Sequence, residues 1–385
     1  MQRILLLDIL RGFAIIGTLG TNIWIFASVG EIDFITGQAG VPFWASAEAM
    51  VQSLFTLFVN GKFLGMLTIL FGVGLEIKRR QAERQLRPWP GIYIWSSFLL
   101  FLDGLIHFIL VMEYDVLMSY AVTAIIVAYI VKRSTKAIKW AMIIAGSIHV
   151  AFMIMLTMAM SSGDATMGAM DTAVYTTGSW WDQVLFRLEH FLIFRAEAIF
   201  IIPMNILLFL TGVMLMRSGA FAADEKGKAI RRKMLIWGIG VGGPLHLLVI
   251  ASPELFAMSQ RYLFAPLLAL GYMALIAKLM EKREENWLAA RVEKVGKMAL
   301  SCYIMQNILA SIIFYGWGLN LHGFAKAHFA WFPVAMWLLI VVILMMFSHV
   351  WLRYFKLGPF EWVWKQMTSL TVKPKPIAPT NNKHM

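Results

Sequence analysis

Asp103 and His107 stand four residues apart in an apolar stretch of the sequence, a spacing that allows their side chains to work together. On a helix, residues i and i+4 project from the same face, so the carboxylate can orient the imidazole and raise its basicity. An imidazole held in this way is suited to act as a general base on a hydroxyl or an amine. Asp115 follows across a short turn and Tyr120 lies in the next apolar stretch, so both are candidates for the same site. The alternative is a hydrogen bond that only locks two helices together.

A second group of polar residues follows one face of the first apolar stretch. At about 100° per residue, Thr18 and Asn22 lie within about 20° of Arg11, and Asp8 lies about 60° away. Polar groups within a membrane are costly and therefore mark candidate sites. The alternative is an Asp8–Arg11 ion pair that anchors the helix end, but Asn22 lies too deep to belong to such an anchor.

Lys62 stands in the middle of the second apolar stretch, directly after Asn60 and Gly61. A lysine at the centre of a membrane must face protein or water, which favours a binding role. The glycines at positions 61 and 65 have the spacing typical of closely packed helices, and this packing is the structural alternative.

Further polar residues lie within later apolar stretches or near their outer ends. They are Arg195, Glu197, His246, Arg261, Gln306 and Asn307. Each alone is more often a structural hydrogen bond than a ligand contact, but their placement on the same side as His107 predicts a shared pocket. Cys302 is the single cysteine, which excludes a disulfide framework and a cysteine metal cluster, and we expect no metal site.

The elements that must position these residues are ten apolar stretches, most of them as long as the roughly 20 residues that cross a hydrocarbon core. They are Ile4–Val29, Ala49–Ile77, Ile92–Met112, Val116–Val131, Trp140–Met160, Phe194–Met216, Met234–Ala251, Tyr262–Leu279, Met298–Trp317 and Phe332–Leu352. Basic and cation-poor loops alternate between them, and lysine and arginine collect on the cytoplasmic side of membrane proteins. We therefore predict an all-α polytopic membrane protein with about ten transmembrane helices and both termini in the cytoplasm.

Composition excludes other classes of protein. A hydrophobic fraction of 59% with 15% charged residues is incompatible with an ordinary soluble domain. The net charge of +12 would suit a nucleic-acid-binding protein, but cations gathered where anionic lipid head groups attract them account for it. We therefore expect the lipid bilayer as a partner and no nucleic acid.

The order of several motifs resembles the YeiB-like family of bacterial inner-membrane proteins, which is defined largely by a C-terminal domain of unknown function. The matching segments are Leu7–Ala14 with Asn22, Lys62–Leu64, Leu70–Gly74, Gly104–His107, Asp115–Leu117 with Tyr120, Gly212 and Met214 with Arg217–Gly219, Gly296–Leu300 with Tyr303 and Gln306, and Trp351–Phe355 with Gly358–Trp362. The family usually has Arg where Lys297 stands, and an apolar or small residue where Asp103 stands. The resemblance thus supports His107 more than its proposed partner.

We expect one transmembrane helical domain over 1–372. It comprises the N-terminal motif region at 1–160, an outer loop at 161–190 and the C-terminal family domain at about 194–370. The segment 373–385 is rich in Lys, Pro and Asn, so a disordered cytoplasmic tail is expected there. The resemblance implies a multi-pass protein of the bacterial cytoplasmic (inner) membrane, and a homodimer is one expected assembly.

More distantly, the segment from Asp8-x-x-Arg11-Gly12 to Asn22 and the ten-helix plan resemble the transmembrane acyltransferase superfamily. Its members move an acyl group from cytoplasmic acyl-CoA to an acceptor on the far face of the membrane. The resemblance implies acetyl-CoA or another acyl-CoA as co-substrate, with no covalently bound cofactor. The expected catalytic residues are His107, Asp115 and Asp103, and the expected donor-binding residues are Arg11, Lys62, Asn22 and Asp8.

The acceptor is expected to be a small molecule, a lipid or an envelope glycan. Its expected binding residues are His246, Arg195, Gln306 and Tyr120. The alternative function is a transporter, in which Lys62, His107 and Asp115 bind the substrate or relay protons. A third reading, a membrane scaffold without catalysis, leaves the intramembrane lysine and histidine unexplained.

Overall fold

The structure, a computed structural model, describes residues 5–31, 45–161, 173–280, 287–328 and 330–369. Within these ranges all regular structure is helical, which confirms the predicted all-α class. The expected disordered tail at 373–385 and part of the expected outer loop lie outside the described residues.

The described residues form long apolar helices and several short ones. They are α1 (Leu5–Ala27), α2 (Ala47–Val59), α3 (Lys62–Arg84), α4 (Ile92–Leu110), α5 (Leu117–Ile130), α6 (Thr135–Ser161), α7 (Ala173–Thr177), α8 (Trp180–Glu189), α9 (Phe191–Arg195), α10 (Glu197–Ser218), α11 (Glu225–Gly240), α12 (Gly242–Ala251), α13 (Pro253–Ser259), the π-helix Gln260–Phe264, α14 (Ala265–Met280), α15 (Trp287–Lys297), α16 (Ala299–Phe314), α17 (His322–Ala327), α18 (Trp331–Tyr354) and α19 (Pro359–Ser369).

Eight helical segments of the described chain are long and apolar enough to cross a membrane. A ninth span results if α15 and α16, which meet at an angle of 91°, count as one. All ten predicted stretches fall on these segments except Val116–Val131, which forms the 14-residue helix α5. The chain is therefore a polytopic helical membrane protein, whereas ten complete spans and the side of each terminus stay predictions.

α1 lies at the centre of the described helices. In its apolar core 78% of the residues are buried, compared with 17% in α6. α1 packs against α3, α15, α16 and α18. Its crossing with α15 depends on two glycines. A Cβ at Gly296 would lie 1.8 Å from the backbone oxygen of Asp8, and a Cβ at Gly12 would lie 2.0 Å from that of Val292. This close approach fixes α1 against the bent pair α15–α16.

Two departures from regular α-helix meet inside the protein. α2 ends at Val59 and α3 begins at Lys62, with Gly61 in the left-handed region at φ +78°. Opposite this break lies the π-helix Gln260–Phe264, an element that often marks functional sites. A Cβ at Gly61 would lie 2.6 Å from the backbone oxygen of Arg261, so only glycine allows this approach.

A cluster of arginines around one buried carboxylate joins α3 to α10. Glu76 in α3 is fully buried. Its oxygens accept hydrogen bonds from Arg79 at 2.9 Å, from Arg80 at 3.0 Å and from Arg217 of α10 at 3.1 Å. Three guanidinium groups thus satisfy the buried carboxylate, and the cluster fixes the end of α3 that lies away from the break.

Candidate functional site

Two groups of buried or half-buried polar side chains among the described helices contain most of the residues predicted for a site. The first, which we call the dyad cluster, consists of Asn22, His107, Asp115, Tyr303 and Asn307. The second, which we call the cation cluster, consists of Asn60, Lys62, His246, Gln260 and Arg261. Most of these residues were predicted from the sequence, but their grouping into two separate clusters was not.

His107 and Asp115 form the centre of the dyad cluster. Nδ1 of His107 lies 3.0 Å from Oδ1 of Asp115, and the two residues are 2% and 3% exposed. α4 carries the histidine, and the short turn between α4 and α5 carries the aspartate. This turn approaches α4 closely because residue 104 is glycine, where a Cβ would lie 2.8 Å from Oδ2 of Asp115.

The carboxylate of Asp115 is fixed by several donors. Its Oδ2 accepts hydrogen bonds from the backbone N–H groups of Leu117 at 2.8 Å and Met118 at 3.2 Å, at the start of α5. Its Oδ1 accepts a longer bond from the hydroxyl of Tyr303 at 3.4 Å. Donors at a helix N-terminus favour a negatively charged acceptor. Asp115 is thus held as an acceptor that orients the imidazole.

The other ring nitrogen of His107 faces α16. Its Nε2 lies 3.2 Å from Nδ2 of Asn307, and Oδ1 of Asn307 accepts a bond from Nδ2 of Asn22 at 3.1 Å. The partners assign the proton of a neutral imidazole to Nδ1, because a carboxylate only accepts and the Asn307 amide nitrogen only donates. One directed chain of hydrogen bonds therefore runs from α1 through α16 to the dyad.

The predicted pair between Asp103 and His107 does not form. Asp115 and Asn307 occupy the two nitrogens of His107, and Oδ2 of Asp103 is buried without a hydrogen-bond partner. The i,i+4 spacing places both side chains on one face of α4, but neighbouring helices decide which partner the imidazole meets. Of the three predicted catalytic residues, the structure brings together His107 and Asp115 only.

Arg195 lies beside the dyad cluster but contacts its backbone. Nη1 of Arg195 donates to the backbone oxygen of Asp115 at 2.8 Å, and Nη2 donates to that of Glu113. The guanidinium carbon lies 4.7 Å from the ring centre of Phe108, a cation–π distance. Arg195 therefore holds the α4–α5 turn in place. Its Nε has no hydrogen-bond partner and is the atom that could bind the acceptor substrate, as predicted.

The cation cluster forms where the α2–α3 break meets the π-helix. Arg261 donates to Oδ1 of Asn60, which lies in the break. Lys62 is fully buried, and its ammonium donates a long hydrogen bond of 3.4 Å to the backbone oxygen of Thr56. His246 of α12 is 2% exposed, and its Nε2 lies 3.1 Å from the backbone oxygen of Leu57 and 2.9 Å from the amide of Gln260.

The remaining predicted residues lie in three separate places. Tyr120 is buried against α3, with its hydroxyl 2.6 Å from Oγ1 of Thr68. Gln306 is fully buried in α16, and neither its amide oxygen nor its amide nitrogen has a partner. Arg11 bonds Asp8 at 3.1 Å near the start of α1, and it is 31% exposed. The anchor interpretation of this ion pair therefore fits its geometry.

Two residues of the site could not be assigned to it from helical spacing alone. Gln260 contacts His246 because a π-helix places it there, and no pattern in the sequence predicts this element. Tyr303 was visible only as part of a family motif. Among the described residues no group of three or more His, Cys, Asp or Glu side chains could hold a metal ion.

These observations define the class of the protein as a multi-pass helical membrane protein, and its described helices contain the dyad cluster and the cation cluster. Its residues 215–371 match the family described as "Protein of unknown function (DUF418)". Relatives extend the similarity to nearly the whole chain, and they confirm the resemblance to the YeiB-like family.

Three such relatives come from bacteria. The chain is 28% identical to uncharacterized protein YxaH of Bacillus subtilis (strain 168), over 97% of this chain and 96% of that protein. It is 26% identical to uncharacterized protein YeiB of Escherichia coli (strain K12), over 97% and 98% of the two chains. An uncharacterized 39.9 kDa protein in the amylase 3' region of Bacillus acidopullulyticus is 25% identical, over 95% and 94%. No solved structure matches the chain.

Proposed function

We propose that the protein transfers an acyl group from cytoplasmic acyl-CoA to an acceptor at the outer face of a bacterial inner membrane. The observation that carries this proposal is the buried pair in which Asp115 holds the imidazole of His107 at 3.0 Å. An imidazole oriented by a carboxylate takes and returns a proton in acyl transfer. A small molecule, a lipid or an envelope glycan with a hydroxyl group would be the acceptor.

In the proposed reaction the acceptor hydroxyl takes the place of the Asn307 amide at Nε2 of His107. Nε2 removes the hydroxyl proton while the hydroxyl oxygen attacks the thioester carbonyl. The C–O bond forms, the C–S bond breaks, and the departing thiolate of CoA takes the proton from the imidazolium. The products are an ester and free CoA. Asp115 stabilises the imidazolium, and the displaced amide of Asn307 becomes a donor for the oxyanion.

The donor side of the proposal depends on α1. Arg11 lies near the start of this helix. Asn22, the α1 member of the dyad cluster, lies eleven residues further along and bonds Asn307. At 1.5 Å per residue the two positions are about 16 Å apart along the axis. The flexible arm of CoA between its phosphates and its thioester can bridge such a distance. We therefore assign the phosphates to Arg11 and the thioester to the dyad cluster.

Thermal unfolding with and without acetyl-CoA tests this assignment. Cys302 is the single cysteine and is fully buried, so its reaction with a thiol-reactive dye reports unfolding. We expect acetyl-CoA to raise the melting temperature of the purified protein, because a ligand that binds only the folded state stabilises it. Arg11→Ala should lose this rise, whereas Arg84→Ala, at an exposed position of α3, should keep it. An absent rise in the wild-type protein contradicts the proposal.

Transport of a small molecule with proton coupling is a second candidate, and one separate observation favours it. The α2–α3 segment is a broken helix with a buried lysine at the break, and transporters bind substrates at such breaks. Uptake into proteoliposomes that needs no acyl-CoA and is lost in His107→Gln would favour transport over acyl transfer.

A further inference from the structure

Several polar atoms of the cation cluster are buried without a hydrogen-bond partner, among them Nδ1 of His246, which donates or accepts according to its tautomer. Nδ2 of Asn60 and Nε of Arg261 are buried without a partner. Asn60 is 1% exposed and Lys62 is fully buried, and the ammonium of Lys62 has three donors but one long contact. A buried donor without an acceptor costs free energy. Three neighbouring side chains with unused donors therefore indicate a place for an acceptor group.

The charges in the cluster are also unbalanced. Arg261 bonds the side chain of Asn60, two residues before Lys62, so two basic side chains share this site. No ion pair within 4 Å joins either of them to a carboxylate among the described residues. The carboxylate of Glu197 acts on Arg261 from a longer distance and accepts the hydroxyl hydrogen of Tyr262. The site thus contains two basic side chains and one carboxylate, so that basic groups are available to pair with a ligand's negative charge.

The backbone adds donors at the same place. α3 is a helix of 23 residues whose N-terminus begins at Lys62, and no side chain caps it. The first N–H groups of a helix lack carbonyl partners within the helix, and together with the helix dipole they attract anions. Gly61 lets the π-helix approach this N-terminus, so that Arg261 lies beside it.

We propose that the cation cluster binds the oxyanion group of a ligand, a phosphate or a carboxylate, inside the membrane. Lys62 and Arg261 would neutralise its charge, and Asn60 with the N-terminus of α3 would donate to its oxygens. The elements that build the site face hydrocarbon, since Phe58 of α2 is 59% exposed and Leu247 of α12 is 52% exposed. A ligand with an acidic head and an apolar tail fits this setting. The inference is independent of acyl transfer, because the cluster shares no residue with the dyad cluster.

Binding of defined anions to the purified full-length protein in neutral detergent tests the inference. Three probes are compared by thermal unfolding, again with the dye that reacts with Cys302. They are inorganic phosphate, dioctanoyl phosphatidic acid and, as the matched control without net charge, dioctanoyl phosphatidylcholine. We expect phosphatidic acid to raise the melting temperature by several degrees and phosphatidylcholine to leave it unchanged. A rise with inorganic phosphate as well supports the same site and identifies a small soluble anion as sufficient.

Two variants connect the effect to the cluster. Lys62→Met and Arg261→Gln should each lose the rise, whereas Lys139→Met, which removes an exposed cation of α6, should keep it. In addition, Lys62→Met should melt at a higher temperature than the wild-type protein when no anion is added, because it removes a buried charge without a partner. No rise in the wild-type protein with either anion overturns the inference, and so does an equal rise in Lys62→Met.

Discussion

The dyad cluster and the cation cluster are both buried in the same bundle, but their hydrogen bonds are balanced differently. Around His107 and Asp115, the donors point to acceptors in one directed chain across three helices. Around Lys62 and Arg261, several buried polar atoms have no hydrogen-bond partner, and two basic side chains lie near one carboxylate. Burial makes a matched network rigid and an unmatched one costly. The dyad cluster is therefore organised for proton transfer. The cation cluster is organised for a ligand that supplies hydrogen-bond acceptors and negative charge.

The difference follows from the local backbone. The dyad cluster is built on regular helices and one short turn, where side chains find partners on neighbouring elements. The cation cluster is built where the α2–α3 break meets the π-helix, and both elements leave backbone groups outside the regular pattern. Replacing a buried charged residue by an uncharged one should therefore lower stability in the dyad cluster and raise it in the cation cluster.

The largest effect is expected in the dyad cluster, on activity. The amide of His107→Gln can donate to Asp115 and accept from Asn307, but it cannot take a proton. Loss of a general base should lower acyl transfer about 10²–10⁴-fold. Membrane vesicles supplied with acetyl-labelled CoA would report the label incorporated into acceptors. His328→Ala, at an exposed position, is the control and should retain activity. A His107→Gln protein with wild-type activity contradicts the role of His107.

The second effect is on the stability of the dyad cluster. Asp115→Ala leaves the ring of His107, the backbone N–H groups of Leu117 and Met118, and the Tyr303 hydroxyl without their acceptor. We expect the free energy of unfolding to fall by about 3 kcal/mol or more. Dye reaction at Cys302 during heating measures the fall. An unchanged melting temperature would show that these bonds are not formed together.

An increase in stability is expected from the cation cluster. Lys62→Met replaces a fully buried cation by an apolar side chain of similar length. Without added anion, we expect the free energy of unfolding to rise by about 1 kcal/mol or more, since burying a charge without a partner is costly. The same dye assay measures the change, and Lys139→Met should leave stability unchanged. A less stable Lys62→Met protein would mean that the cluster is already satisfied.

The smallest effect is expected from removing the longest hydrogen bond of the dyad cluster. Tyr303→Phe removes one hydroxyl whose bond to Asp115 is long, at 3.4 Å. We expect a loss of about 0.5–1 kcal/mol in stability, as for an ordinary hydrogen bond, and nearly unchanged activity. An activity loss as large as that of His107→Gln would give the Tyr303 hydroxyl a direct part in proton transfer.

The helical class and the polar residues of the dyad could be predicted because polar groups stand out in apolar stretches. Asp115 was among the predicted residues, but the partner of Nε2 of His107 could not be predicted. Asn307 lies 200 positions away from it, and the link between Asn22 and Asn307 spans 285 positions. Helix spacing reports only neighbours on one helix, which is why it favoured Asp103. The break at Gly61 was hidden as well, because the apolar stretch Ala49–Ile77 continues through it and predicts one helix.

Transfer across a sealed membrane tests the central proposal most directly. Proteoliposomes that hold acetyl-labelled acetyl-CoA on the cytoplasmic side would be given an extract of envelope lipids and glycans on the other side. We predict covalently labelled acceptor outside and an equal amount of free CoA inside, with both absent in His107→Gln. Label that stays inside the vesicles, or that leaves as intact acetyl-CoA, would contradict the account.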